Sequence, residues 1–501
     1  MCGIAAQYAA SDEAAGQRML DRLAHRGPDD FGSAEVGGSW LGHRRLSIVD
    51  VDGGAQPMRG ERLVLAGNGE VYNHETVRGA LADRSFSTNS DNEVALHLLE
   101  EEDPDALCAL EGMFAFVAAG EGGYFVAARD PVGIKPLYWA RRGNDVRFAS
   151  EMRAFDTEWL PAVRPFPPGY HWTPLRGLVR FSRAAPMAAP EPAGDPLADP
   201  PAHAVEQVRD ELVCSVERQM MGDVPVGVFL SGGLDSSLIA AIAARLLPEG
   251  ERLPTFAVGT EGSPDLEAAR QVARYLGTDH HERVYDAEEA VGALPEVVRA
   301  IESFDPSLVR SAVPNYLLAE MTAEHVKVVL TGEGADELFA GYEYLRDLEA
   351  EPLHAELVRT VEGLHNLNLQ RCDRVTMAHG LEARVPFLDT QVIAFALGLP
   401  AEWKLSGPEK PEKLLLRRAF EGWLPDEFLW RDKAQFGDGS GAATVLQDRF
   451  ADSVSEPELV AERSEAEPSI RTREELAYWR IFRKALQGVR TEETVGRFAT
   501  A

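Results

Sequence analysis

Cysteine stands second in this chain, in MCGIAAQY. Once Met1 is removed, Cys2 carries both a thiol and a free α-amine. An ionised thiol is a strong nucleophile, and an N-terminal amine with a pKa of roughly 8 can accept its proton, so one residue can supply nucleophile and base. The alternative is an incidental cysteine at a frayed terminus. A second chemical signature lies in VPVGVFLSGGLDSSLIAAIAARLL, residues 224–247. An apolar run enters Ser231-Gly232-Gly233, and Asp235-Ser236-Ser237 opens a segment with helical periodicity. The glycines allow close backbone approach, and the N–H groups of a helix start favour an anion. The hydroxyls of Ser231, Ser236 and Ser237 can add hydrogen bonds, and Asp235 can hold a metal that bridges phosphates. No Gly-Lys-Ser/Thr follows, which excludes a Walker A loop. Local chemistry leaves two readings, a phosphate site or a glycine-rich turn with a serine cap.

The pattern recurs in VKVVLTGEGADELFAGY, residues 326–342, where an apolar run precedes Gly332 and Gly334 and Glu333, Asp336 and Glu337 cluster behind. Ligands of open α/β sheets collect at the carboxyl ends of strands, so both loops can face one crevice. RCDRVTMAHGLEARVPFLD (371–389) and WRDKAQFGDGSG (430–441) then offer Arg384, Arg431 and Lys433 as cations for a departing phosphate group. Taken singly, each could be a surface cation.

The elements that must carry these residues divide at RAAPMAAPEPAGDPLADPPAH, residues 183–203, an Ala/Pro-rich linker without apolar periodicity. Before it, residues 1–182 offer short β-like runs (RLSIVD, RLVLAGNG, MFAFVAA, GGYFVAARD, DVRFAS) and predict a β-rich α+β domain. After it, residues 204–501 alternate helical patterns such as AVEQVRDELVCSVERQM with buried-strand runs such as VPVGVFL, LPTFAVG and VKVVLTG, which predicts a parallel sheet covered by helices. From about residue 350 the pattern is mostly helical, and SVSEPELVAERSEAEPSI (453–470) is expected to be a solvated segment or loop. A length of 501 residues calls for more than one core. Fifty basic against 81 acidic residues, a net charge of −31, argue against unspecific binding to nucleic acid or an anionic membrane. The four cysteines show no paired or zinc-like spacing. There is no signal-peptide pattern and no membrane-length apolar run, so a cytoplasmic protein is expected.

SGGLDSS resembles the pyrophosphate loop of ATP-pyrophosphatase domains, which split ATP between the α and β phosphates. FAVGTEGSPDLEAARQVARYLGTDHHE (256–282) and GLEARVPFLD narrow this resemblance to the glutamine-dependent asparagine synthetases. HRGPDD (25–30), HRRLSIVD (43–50), NGEVYNH (68–74), SDNEV (90–94) and ARDPVGIKPLYW (128–139) are similar, in order and position, to that family's class II glutaminase domain. The resemblance implies an αββα sandwich of the N-terminal nucleophile hydrolase type, joined to an α/β domain with a parallel sheet, adenine nucleotide α-hydrolase-like, and a helical C-terminal part. It implies that Cys2 attacks glutamine while Asn68 and the backbone N–H of Gly69 form an oxyanion hole. Arg45 would pair with the glutamine carboxylate and Glu70 and Asp91 with its ammonium, Leu46, Ser47, Ile48 and Val49 completing the site. For ATP the implied contacts are Phe229, Ser231, Gly232, Gly233, Asp235, Ser236, Ser237, Val258, Thr331 and Gly332. Asp235 and Asp336 would hold Mg²⁺, Glu333 would accept a proton, and Lys433 would stabilise departing charge. LEGMFAFVA (110–118), with Met113, matches a segment lining an ammonia tunnel between the domains. A homodimer is common in the family. The acceptor stays open between aspartate and another carboxylic acid of specialised biosynthesis, because Ala312 and Val313 replace expected hydroxyl residues and would widen or dry the pocket. A non-catalytic binding relative is the remaining alternative.

Overall fold

The structure is a computed structural model that describes residues 2–9, 11–101, 103–187, 189–191, 193, 200–407, 410–431, 446 and 454–498. Two antiparallel six-stranded sheets form the first part. One runs in the order Val163–Pro165, Tyr138–Arg142, Asp145–Ala149, Cys2–Tyr8, Ser39–Arg45, Asp30–Val36. The other runs Gly177–Arg180, Tyr170–Thr173, Tyr124–Arg129, Gly112–Gly120, Leu63–Val71, Met58–Arg59. Side chains alternate across a strand, and that alternation sorts the layers. Ile4 and Ala6 of the first strand meet Ala115, Val117 and Ala119 between the sheets. Ala5 instead joins Met19 and Leu20 of the helix Glu13–Asp21 on the outer face. Phe114 and Phe116 face the opposite way, toward Val94 and Leu98 of the helix Glu93–Glu101. The order is therefore helix, sheet, sheet, helix.

The second part is built on a five-stranded parallel sheet in the order Asp279–Val284, Pro254–Gly259, Val226–Phe229, Val328–Leu330, Glu382–Arg384. Its central strands are continuous apolar runs because helices cover both faces. Ala202–Gln219, Leu234–Leu246, Pro264–Leu276 and Pro306–Ala323 are among these helices. Further helices follow, including Ala350–Gly363, Asn368–Met377 and Arg473–Ala485. No helix among the described residues is long and apolar enough to cross a membrane.

One local expectation fails. RLSIVD is not a strand, because the strand Ser39–Arg45 ends at its first residue. The Arg45 guanidinium then turns the chain by donating to the carbonyls of Val49, Asp50 and Val51 at 3.3, 2.6 and 3.0 Å. The acidic stretch is mostly exposed over residues 454–470, as a solvated segment should be, but it contains the helix Glu456–Glu462, with Leu459 and Ile470 buried and Arg480 paired to Glu458 and Glu462.

The two parts meet across a buried group of charges. Arg26 is fully buried, and its guanidinium donates to Cys2 O at 3.0 Å, to Glu151 Oε1 at 2.8 Å, and to both Asp373 oxygens at 2.9 and 3.1 Å. Arg374 reaches Ser150 O at 2.8 Å, and Glu302 accepts from the backbone N–H of Met152 and Arg153 at 3.0 and 2.7 Å. Burial pushes the Glu151 carboxyl up, but Arg153, His25 and Arg374 outweigh it and hold that carboxyl well below the usual range. Removing one partner of a buried pair strands the other charge, which costs about 3–5 kcal/mol. Asp373→Ala is therefore expected to lower the thermal midpoint of the chain by several degrees, read by calorimetry. An unchanged midpoint would show that the junction does not depend on this contact.

Candidate active sites

The first candidate site lies at the start of the first strand. Cys2 is buried, and its backbone nitrogen donates to Asn68 Oδ1 at 2.9 Å. That bond fixes the Asn68 amide with Nδ2 buried and without a partner among the described residues, a donor held ready beside Cys2. Burial raises the Cys2 thiol above its ordinary value, opposed in part by the N-terminal charge and the Leu46 backbone. Gly69 has φ +145, and a Cβ there would stand 1.9 Å from Met113 O, so only glycine fits this strand crossing.

Glu70 and Asp91 are buried close by. Asp91 accepts from Val71 N at 2.6 Å and Asn92 Nδ2 at 3.0 Å. Glu70 Oε2 has no hydrogen-bond partner among the described residues and lies 3.8 Å from Arg384. Burial, Glu382 and Asp91 together push the Glu70 carboxyl well up, the condition of an acid awaiting a cation. The loop 46–50 is seated on the second part of the chain. Asp223 N donates to Ile48 O at 2.9 Å, Asp50 N donates to Asp223 Oδ2 at 2.7 Å, and Ser47 N binds Asp29, itself paired with Lys327. Met113 is fully buried in the core that continues into the second part.

The second candidate site is a cavity of about 780 Å³ at the carboxyl ends of the parallel strands. Phe229, Ser231, Gly233, Asp235, Ser236, Val258, Thr331, Gly332, Glu333 and Asp336 all line it. Gly232 has φ +74 and packs on Ala268 and Ala269, and Arg431 donates to its carbonyl at 3.0 Å. The Ser231 and Ser236 hydroxyls lie 3.0 Å apart, whereas Ser237 turns into the core with its hydroxyl buried and without a partner among the described residues. Gly332 lets the two strand-end loops touch, since a Cβ there would meet Asp235 Cβ at 2.9 Å. Asp235 and Asp336 converge on one ammonium, that of Lys413. A pair of hard oxygen donors already shared by a cation suits Mg²⁺.

Glu333 pairs with Arg371, and burial raises its carboxyl against that pairing. Glu337, behind it, accepts from Tyr342 at 2.5 Å and from Asn368 at 3.2 Å. Lys433 lies outside the described residues. Two expectations are corrected. Arg384 does not face this cavity but is fully buried at the junction, bonded to Glu382 and to the carbonyls of Gln219 and Met221. Ala312 and Val313 point into the core, while the same helix presents Ser307, Arg310, Ser311 and Asn315 to the cavity. Sequence pattern alone does not single out Arg26, Arg371 or Lys413. Arg26 sits inside HRGPDD, but Lys413 lies in EKLLLRRAF, which has no glycine loop to flag it.

A glutamine amidotransferase domain model matches residues 1–164, and an asparagine synthase model matches residues 207–351 and 345–492. A Dictyostelium discoideum protein described as a probable glutamine-hydrolyzing asparagine synthetase is 36% identical over 99% of this chain and 96% of its own. Glutamine-hydrolyzing asparagine synthetases of Asparagus officinalis and Arabidopsis thaliana are 39% and 38% identical, over 89% and 92% of this chain and 78% and 83% of theirs. The chain belongs to the glutamine-hydrolysing asparagine synthetase family. A B. subtilis glutamine phosphoribosylpyrophosphate amidotransferase structure, 18% identical over 56% of this chain and 81% of its own, gives a TM-score of 0.33, too weak a likeness to argue from.

Burial and Asp336 raise Glu337 from about 4.5 to about 7. Between those values the folded chain binds more protons than the unfolded one, so this group lowers stability as pH rises through that window. Glu337→Gln keeps a hydrogen-bonding side chain without the titration. It is expected to flatten the fall in melting temperature between pH 5 and 7, an effect that wild-type and variant melting curves would expose.

Proposed function

We propose that this chain is an ATP-dependent ligase that takes nitrogen from glutamine and forms asparagine from aspartate. The observation that carries this reading is the pairing, in one chain, of Cys2 beside Asn68, whose Nδ2 has no partner among the described residues, with a cavity lined by residues of SGGLDSS and TGEGADE. In the first site, with Met1 removed, the Cys2 thiol gives its proton to its own α-amine and attacks the glutamine amide carbon. Asn68 Nδ2 and the Gly69 N–H stabilise the oxyanion. Ammonia leaves as the thioester forms, and water then releases glutamate. Arg45 and the loop 46–49 receive the α-carboxylate, and Glu70 and Asp91 the ammonium. The domains are assigned as 1–182 and 204–501 with the linker between.

In the second site Ser231 to Ser236 and Arg431 surround the phosphates, with Phe229, Val258, Thr331 and Gly332 against the nucleoside. Mg²⁺, when bound to Asp235 and Asp336, would screen phosphate charge during transfer. The aspartate side-chain carboxylate attacks the α-phosphorus, the bond to the β-phosphate breaks, and pyrophosphate leaves. Ammonia then attacks the acyl carbon, AMP departs, and Glu333 takes the excess proton. Lys433 is assigned to the departing charge. Ammonia passes between the sites along the core that contains Met113. The inward placement of Ala312 and Val313 removes the sequence argument for a larger acceptor.

Purified enzyme with Mg²⁺, ATP, glutamine and L-aspartate is expected to release pyrophosphate and asparagine in step. Pyrophosphate release that ignores aspartate would reject the acceptor assignment. Cys2→Ala should abolish synthesis from glutamine while ammonium salts still support it. Asn68→Ala should slow glutamine hydrolysis by about 10²–10³. A Cys2→Ala enzyme that still consumed glutamine would refute the nucleophile.

A further inference from the structure

The Lys413 ammonium lies 2.7 and 2.6 Å from the two carboxylate oxygens of Asp235 and 2.7 Å from Asp336 Oδ1. Its side chain is only 3% exposed. The residue holds φ +56, a left-handed conformation that lysine rarely takes, directly before the helix Leu414–Ala419. The surroundings make room for it. A Cβ on Gly341 would stand 2.2 Å from Lys413 Cε and 1.9 Å from Asp336 Oδ1, so the facing loop carries no side chain there. Two carboxylates delivered by different strand ends repel each other, and the Lys413 ammonium between them offsets that repulsion.

We propose that Lys413 is the resident counter-ion of the Asp235–Asp336 pair in the nucleotide-free enzyme, and that a divalent cation takes the pair only together with ATP. The inference rests on the assignment of these two aspartates as metal ligands. A bare divalent cation must displace a buried ammonium from three charge-assisted hydrogen bonds and then stand beside it. The like charges repel in a cleft where water screens poorly. A triphosphate changes the balance, because its oxygens ligate the metal and give the displaced ammonium a new anionic partner. The aspartates are thus kept from loose cations and released to a nucleotide-borne one.

The probe is Mn²⁺, followed by water-proton relaxation on the full chain with and without ATP. Wild-type enzyme is expected to bind Mn²⁺ weakly alone and to form a tight ternary complex with ATP. Lys413→Asn suits the test because asparagine tolerates the left-handed backbone while removing the charge. It should tighten nucleotide-free Mn²⁺ binding by about tenfold or more, since a buried competing cation is gone. Lys413→Arg, which keeps the charge, should leave wild-type binding weak. Unchanged or weaker binding in Lys413→Asn overturns the inference, and so does tight nucleotide-free binding in the wild type, whatever the fate of the variants. Absence of bound Mn²⁺ in wild type even with ATP would instead reject the metal assignment of Asp235 and Asp336, and this inference with it.

Discussion

One guanidinium sets the geometry of this molecule. Arg26 is sealed from water, and its donors are divided between the carbonyl of the candidate nucleophile, a carboxylate of its own domain and a carboxylate of the other. An unpaired charge at that depth would be far more expensive than any single packing defect. The group therefore enforces three placements together: the first residue of the first strand, the turn at Glu151, and the helix Asn368–Met377. Arg153, Arg374 and Glu302 extend the same balance, so positive and negative groups meet across the junction in compensating numbers. Hydrophobic burial gives the two parts their cores, but these ion pairs give them a register.

The second cavity obeys a related rule in which glycine replaces charge as the constraint. Gly332 lets one strand-end loop touch the other, and Gly341 leaves room for Lys413. Backbone approach of this kind needs residues without a Cβ, and it brings Asp235 and Asp336, from loops about a hundred positions apart in the sequence, onto one ammonium. The acids that gather there differ in setting. Glu337 is buried against Tyr342 and Asn368, whereas Glu333, paired with Arg371, and the two aspartates are partly open to the cleft.

Much of this was legible in the sequence where chemistry demands a motif. Cys2, SGGLDSS and TGEGADE announce themselves because nucleophiles and phosphate loops need particular neighbours in the chain. The layered sheets were legible too, since MFAFVAA and VPVGVFL are apolar over the length of a strand. What stayed hidden is long-range. Arg384 was expected at a phosphate site, but the short strand Glu382–Arg384 turns it toward Glu70, and no local pattern encodes which edge of a sheet faces another domain. Ala312 and Val313 failed for a different reason: a helix face is settled by what packs on it, and that helix is buried on most of its surface. RLSIVD has the composition of a strand, yet Arg45 satisfies its carbonyls from the side and bends it into a loop.

The helix Asn368–Met377 carries Arg371 against Glu333 on one face and Asp373 against Arg26 on another, two residues apart. Because a helical turn is stiff, a shift of either contact is transmitted as a tilt or rotation of the whole rod. The spacing between the thiol end of one domain and the acid of the other is thus measured by less than a single turn of backbone. The ruler that calibrates the two halves against each other is this one turn.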